Sequence, residues 1–172
     1  MTTPLLLAID NGSQSTKVLA VEPDGHVVAS ARRPLRPYDL SVPGHVVHPG
    51  DDVWESIAAA CRDIVGQLGS DASRIAAVGL CTIRFCRAYL DRAGHLVEPL
   101  LSWMDARVSR PFDAADSRVA YVTTSSGYIT HRLTGRFVDT RANYQGLWPI
   151  DVTTGEWSSD DTAYAETGMP RS

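Results

Sequence analysis

A mixed α/β domain is the fold class this sequence predicts, and three observations carry that reading. Two short apolar runs, Leu5–Ile9 and Val18–Val21, flank a polar turn near the start, as the strands of a hairpin do. A long amphipathic stretch follows from Val53 to Leu68. A further apolar run, Ile75–Leu80, comes shortly after it, the order in which a crossover helix delivers a parallel strand.

Each element has its own signals. Pro23-Asp24-Gly25 marks a turn, and His26–Ala31 reads as a third strand. Three strands joined by tight turns are antiparallel neighbours. A loop punctuated by Pro and Gly runs from Pro34 to Gly50. Val53, Trp54, Ile57, Ala58, Cys61, Ile64, Val65 and Leu68 then recur at helical spacing. Asp52 three residues before Glu55 resembles a capping box and Gly69 is a stop signal, so a helix covering the sheet is expected here.

Ile75–Leu80 is continuously apolar, as a buried parallel strand would be. Cys86–Leu90 reads as another strand, closed by the turn Asp91–Gly94, and Leu100–Asp105 as a short apolar segment with a polar end. Tyr121–Leu133 is expected to be helical, with Gly135 as its stop. The remainder, from Arg136, is turn-rich, with a short strand expected near Trp148–Asp151. Three antiparallel strands, then parallel strands with crossover helices, mark the start of a ribonuclease H-like (actin-like ATPase) α/β domain.

Composition excludes several classes. The 172 residues suit one domain. A net charge of −4 leaves no electrostatic footprint for nucleic acid. The nearest basic group, Arg32-Arg33 with Arg36, reads as a solvated strand end. No apolar run reaches the ~20 residues of a membrane span, and no basic region precedes the first apolar stretch as in a signal peptide. Cys61, Cys81 and Cys86 are odd in number and form no metal-ligand spacing, so a reduced cytoplasmic protein is expected.

Chemistry gathers at the first turn, Asp10-Asn11-Gly12-Ser13-Gln14-Ser15-Thr16-Lys17. Backbone N–H groups, hydroxyls and a lysine at one turn suit an anion, and a strand-end aspartate suits hydrated Mg²⁺. An ordinary Asn-Gly hairpin that binds nothing has a similar sequence, so the turn alone leaves both uses open.

The chain resembles the FGGY family of carbohydrate kinases, in their N-terminal domain. The stretches that carry the likeness, in the family's order, are Ile9–Lys17, Ile75–Leu80, Trp103-Met104-Asp105-Ala106-Arg107 and Gly127–Gly135, with Gly155–Ser158 and Gly168-Met169-Pro170 closing the domain. The resemblance implies a kinase that transfers the γ-phosphate of MgATP to a sugar or polyol hydroxyl, with ATP and Mg²⁺ as cofactors. It implies that Asp10 holds the metal through water, that Gly12, Ser13, Gln14 and Ser15 cradle the transferred phosphate, and that Lys17 stabilises its charge. Arg84 is implied as a sugar contact, since a guanidinium donates paired bonds to neighbouring hydroxyls. Trp103 is implied as a platform for a sugar's C–H face and Asp105 as an acceptor from its hydroxyls, with Arg107 an alternative partner for Asp105. Tyr128 and Arg132 read as anchors of their helix. For Lys17 a solvated strand residue, and for Trp103 a core residue, are the competing readings.

Three departures from the family stand out. His45-Val46-Val47-His48 stands where the family has an aromatic residue and then a Glu, and neither histidine is given a role. Only a short linker, Asp113–Ser117, follows the Trp-x-Asp-x-Arg segment, where relatives carry an extra helical segment that shapes the sugar pocket. The family's catalytic base and nucleotide-binding C-terminal domain are expected beyond residue 172, so residues 1–172 read as an incomplete N-terminal domain, inactive alone. Such a piece leaves an unpaired sheet edge and an apolar patch, which favour a homodimer. A non-catalytic sugar-binding or regulatory module and an actin-like ATPase are the competing functions. The first places no demand on Asp10 or Lys17, and the second none on Trp103–Arg107.

Overall fold

Alternation builds the first strand of the computed structural model, which describes residues 3–113, 116–144 and 148–169. Pro170 of the closing motif and Ala114-Ala115 of the short linker lie outside the described residues. In β1 (Leu5–Asn11) residues 5, 7, 9 and 11 are buried and the others exposed, the period of two of a strand covered on one face. β2 (Ser15–Val21) returns antiparallel with Asp10 opposite Lys17 and Asn11 opposite Thr16. β3 (Val27–Pro34) continues antiparallel, with Lys17 opposite Arg32.

The chain folds as two units, residues 1–37 with 52–83 and residues 38–51 with 84–172. In the first, helix α1 (Asp52–Leu68) buries Val53, Ile57, Ala60 and Ile64 against Leu5, Leu7, Ile9, Val18 and Ala20. Each fully buried aliphatic side chain contributes about 1.5–3 kcal/mol. Asp52 takes its bonds from Arg36, whose N–H and Nε–H donate to the carboxylate at 2.7 and 2.9 Å. Gly69, at φ 54°, opens a short 3-10 helix, Gly69–Arg74.

β4 (Ile75–Thr82) runs parallel to β1, giving the sheet order β3-β2-β1-β4. The sheet is therefore mixed, as expected. The burial of β4 is not: α1 packs over β2 and β3, and most of β4 is exposed. An apolar run reports what a strand could bury, and here nothing among the described residues covers it.

In the second unit β5 (Arg87–Leu90) pairs antiparallel with β6 (Tyr121–Thr124), so the predicted further parallel strands do not follow among the described residues. The helix predicted over Tyr121–Leu133 is split. Val122, Thr123 and Thr124, β-branched and stiff at χ1, pair in β6, and α2 (Ser125–Thr134) starts only after Thr124, whose side chain caps the Gly127 N–H at 3.1 Å. Gly135 ends α2 at φ 72°, in the left-handed region glycine tolerates. The strand expected near Trp148–Asp151 is a single bridge between Ile150 and Trp157. A last helix, α3 (Asp161–Thr167), is capped by Asp160.

Candidate functional site

The first unit assembles one candidate cluster. Because β1 buries its odd-numbered residues, Asp10 points from the opposite face at the strand's end. It shares that face with its cross-strand neighbour Lys17 and, one strand further, Arg32. With Gly12, Ser13, Gln14 and Ser15 these residues line a depression of 470 Å³. The turn is closed by Gly12 N–H donating to Ser15 O at 3.0 Å. That bond occupies the Gly12 amide within the turn, while Gly12 stays in the lining of the depression. A Cβ at Gly12 would meet only Ser15 O, at 3.6 Å, so the glycine relieves no clash and leaves that side of the turn open.

On the buried face, Asn11 Nδ2 donates to Thr16 Oγ1 at 2.7 Å, and Thr16 Oγ1 lies 2.6 Å from Ser56 Oγ on α1. This ties the base of the turn to the helix. Arg32 Nε donates to Ser15 Oγ at 3.1 Å, which ties its side to the third strand. Arg32 was read from sequence as part of a solvated strand end. Its neighbours Arg33 and Arg36 do pair with acids there, but the β2–β3 register brings Arg32 to the turn. Only strand register, not composition, could have found it.

A metal caged wholly by protein has no support here, since no group of three or more His, Cys, Asp or Glu side chains comes together among the described residues. A single exposed carboxylate beside a turn of hydroxyls and a lysine fits Mg²⁺, which keeps waters and takes one or two carboxylates plus phosphate oxygens.

The second unit holds Arg84, Trp103 and Asp105, and treats them differently. Arg84 Nη2 donates to Ala142 O at 3.1 Å, and the guanidinium sits 5.2 Å from the ring centre of Phe85. Phe85 has φ 60°, the positive-φ non-glycine residue among the described residues, and is 55% exposed. Trp103 is 51% exposed, which removes the core reading and leaves a ring available as a platform.

Asp105 turns inward, with none of its side chain exposed. Its Oδ1 accepts from Arg107 N–H and Nε–H, both at 2.9 Å, and its Oδ2 from Val46 N–H and Arg107 Nη2–H, both at 2.8 Å. A carboxylate has about four acceptor positions, so all are filled. This corrects the expectation that Asp105 accepts from substrate hydroxyls: it joins the 38–51 segment to the Trp103–Arg107 segment. Burial pushes its pKa up, but the bonds from Arg107 and Val46 outweigh that and hold it below the usual carboxylate value. Arg107 also donates to Glu98 at 2.8 Å. Beside them, burial pushes the Cys86 thiol up to about 12, against a bond at the Trp103 backbone, so it is held protonated.

Tyr128 and Arg132 are anchors, as expected. The Tyr128 hydroxyl donates to Asp51 at 2.7 Å and Arg132 Nη1 donates to the same carboxylate at 2.6 Å. His48, read as a loop residue, is buried with its ring edge-on to Tyr38 at 4.8 Å. A second depression in this unit, 530 Å³, is lined by Tyr121, Phe137, Tyr144, Trp148 and Trp157 among others. It contains none of the predicted site residues, and scattered aromatics in a turn-rich tail gave no sign of it.

Comparisons with known proteins agree with one another. Residues 5–117 match the FGGY family of carbohydrate kinases, N-terminal domain. The chain is 42% identical over 171 residues to the uncharacterized sugar kinase YgcE of Escherichia coli K12, covering 99% of this chain and 35% of that protein. It is 30% identical over 135 residues to a glycerol kinase of Xanthobacter autotrophicus, covering 78% of this chain and 26% of that one. The chain thus spans about a third or less of the length of these curated relatives. Among solved structures, gluconate kinase and ligand-bound xylulose kinase from Lactobacillus acidophilus superpose with TM-scores of 0.80 and 0.79. Their identities are 15% and 16%, and each match covers 98% of this chain and 40% of the other. At that identity the likeness is one of fold.

Proposed function

Since this chain belongs to the FGGY family of carbohydrate kinases, we propose that it supplies the phosphate-cradling and sugar-contacting part of an ATP-dependent kinase for a sugar or polyol hydroxyl. The observation that carries this reading is the depression in which Asp10, the Gly12–Ser15 turn and Lys17 meet on one sheet face. A sugar-binding module without catalysis would have no use for that grouping.

Phosphoryl transfer asks the protein mainly to position groups and neutralise charge. Lys17 is a point cation on a flexible stem beside the turn and stabilises negative charge on the transferred phosphate. The hydroxyls of Ser13 and Ser15 donate to phosphate oxygens. Asp10 would hold hydrated Mg²⁺, and the ion would supply positive charge against the phosphate. On the sugar side Arg84 donates to hydroxyls and Trp103 packs against C–H faces. Asp105 is a positioning residue that sets Trp103 through the fixed Trp103–Arg107 backbone.

A general base must reach the hydroxyl proton by hydrogen bond. With Asp10 on the metal and Asp105 enclosed, we assign the base, and the nucleotide-binding domain, to the part of the relatives that this chain does not span. Residues 1–172 alone are then inactive, and a cytoplasmic location goes with the same proposal. The test is MgATP-dependent phosphorylation of glycerol, xylulose and gluconate by a protein that carries this chain at the length of its relatives. A phosphorylated product with one of them supports the reading. Sugar-independent ATP hydrolysis with no phosphorylated polyol contradicts it.

A further inference from the structure

Arg32 and Lys17 stand directly opposite each other on β3 and β2 and share the exposed face of the sheet. Like charges in that position repel. Neither side chain forms an ion pair with an acid among the described residues. The neighbouring arginines of the same segment do: Arg33 meets Asp63 at 2.6 Å and Arg36 meets Asp52 at 2.9 Å. The chain therefore pairs the neighbouring arginines with acids. Among the described residues it leaves Arg32 and Lys17 without an ion pair at the rim of the turn depression, with Asp10 opposite Lys17 on its other side.

The orientation of Arg32 is also set. Its Nε donates to Ser15 Oγ at 3.1 Å, which fixes the guanidinium plane against the turn and leaves its two Nη groups as a fork. A fork of parallel N–H donors matches two oxygens of a phosphate, and a lysine opposite it adds a point charge. Asp10 lines the same depression, and its negative charge separates a metal-holding side from this cationic side.

We propose that Arg32, held by Ser15, is a second phosphate-contacting cation of the site and closes with Lys17 on the terminal phosphate of the nucleotide. This rests on the reading of the Gly12–Ser15 turn as a phosphate cradle and adds to it a residue from the edge strand. In the absence of phosphate the Arg32–Lys17 pair costs stability, and a bound phosphate relieves that cost.

The test uses tripolyphosphate titrated into the full 172-residue chain, read by the amide resonances of residues 12–15, with chloride as the control anion. The wild-type chain should bind, with shifts at the turn. Arg32→Ala should weaken binding about ten- to a hundredfold, the range of a charge-assisted bond of about 1.5–3 kcal/mol. Arg32→Lys should recover part of it, and Arg33→Ala should leave it unchanged. In phosphate-free buffer Arg32→Ala should melt at the same temperature as wild type or slightly higher. Equal affinity in Arg32→Ala and wild type would overturn the assignment while leaving the cradle intact, and so would a lower melting temperature with unchanged affinity. Absence of any wild-type shift at the turn would overturn the cradle itself and Arg32 with it.

Discussion

Thr16 and Ser56 meet hydroxyl to hydroxyl at 2.6 Å, in a buried contact between the start of β2 and the first turns of α1. The direction of that bond follows from its neighbours. Ser56 Oγ donates to Val53 O at 2.9 Å, and Thr16 Oγ1 accepts from Asn11 Nδ2. Each hydroxyl has one proton, so Thr16 donates to Ser56, and a directed relay runs from Asn11 through both to the helix backbone. The relay fixes the residues that flank the Gly12–Ser15 turn.

Breaking it should cost stability. Thr16→Val leaves Asn11 Nδ2 without an acceptor in a buried position, which costs about 1–3 kcal/mol. Ser56→Ala should cost less. The double substitution should fall short of the sum by about 0.5 kcal/mol or more, since the two share one bond. Urea unfolding of the four proteins, followed by tryptophan fluorescence, measures this. Strict additivity would deny the coupling.

Asp105 makes stability depend on acid. Its folded pKa lies below the ordinary carboxylate value because the bonds from Arg107 and Val46 outweigh burial. The charged form therefore stabilises the fold, fully above the ordinary value of about 3.9, and that contribution is lost as pH falls through the lower folded value. Asp105→Asn should lose about 3 kcal/mol at neutral pH, the cost of breaking a buried pair. The gap between variant and wild type should narrow as pH falls below the ordinary carboxylate value and through the lower folded one. A gap independent of pH would remove the carboxylate's charge from the explanation.

Trp103 should separate affinity from stability. Being half exposed, its replacement by alanine should change unfolding free energy by about 0.5 kcal/mol or less, yet weaken polyol binding about tenfold or more. Calorimetric titration with the preferred polyol, beside a melting curve, decides it. A destabilised variant with unchanged affinity returns the ring to a packing role.

Much of the fold was legible because local pattern and tertiary use coincide. The apolar run Leu5–Ile9, the helical spacing from Val53 to Leu68 and the stop at Gly135 each mark an element or an end that the structure uses. The failures have physical causes of their own. Tyr121–Thr124 was absorbed into a helix because the pairing that makes it a strand lies on Arg87–Leu90, far away in sequence. The Trp-x-Asp-x-Arg segment pointed to Trp103 and Asp105 alike, but the inward turn of Asp105 depends on the Val46 amide, which no local pattern announces. Arg32 was hidden for the same reason: a cation's role depends on which residue the next strand sets opposite it.

The most direct test concerns Asp10. In a protein carrying this chain at the length of its relatives, Asp10→Ala should abolish phosphoryl transfer, lowering kcat by about a thousandfold or more, while leaving the dissociation constant of the polyol within about twofold. A variant that turns over like the wild type would contradict the central claim that this turn is where phosphate and metal are held.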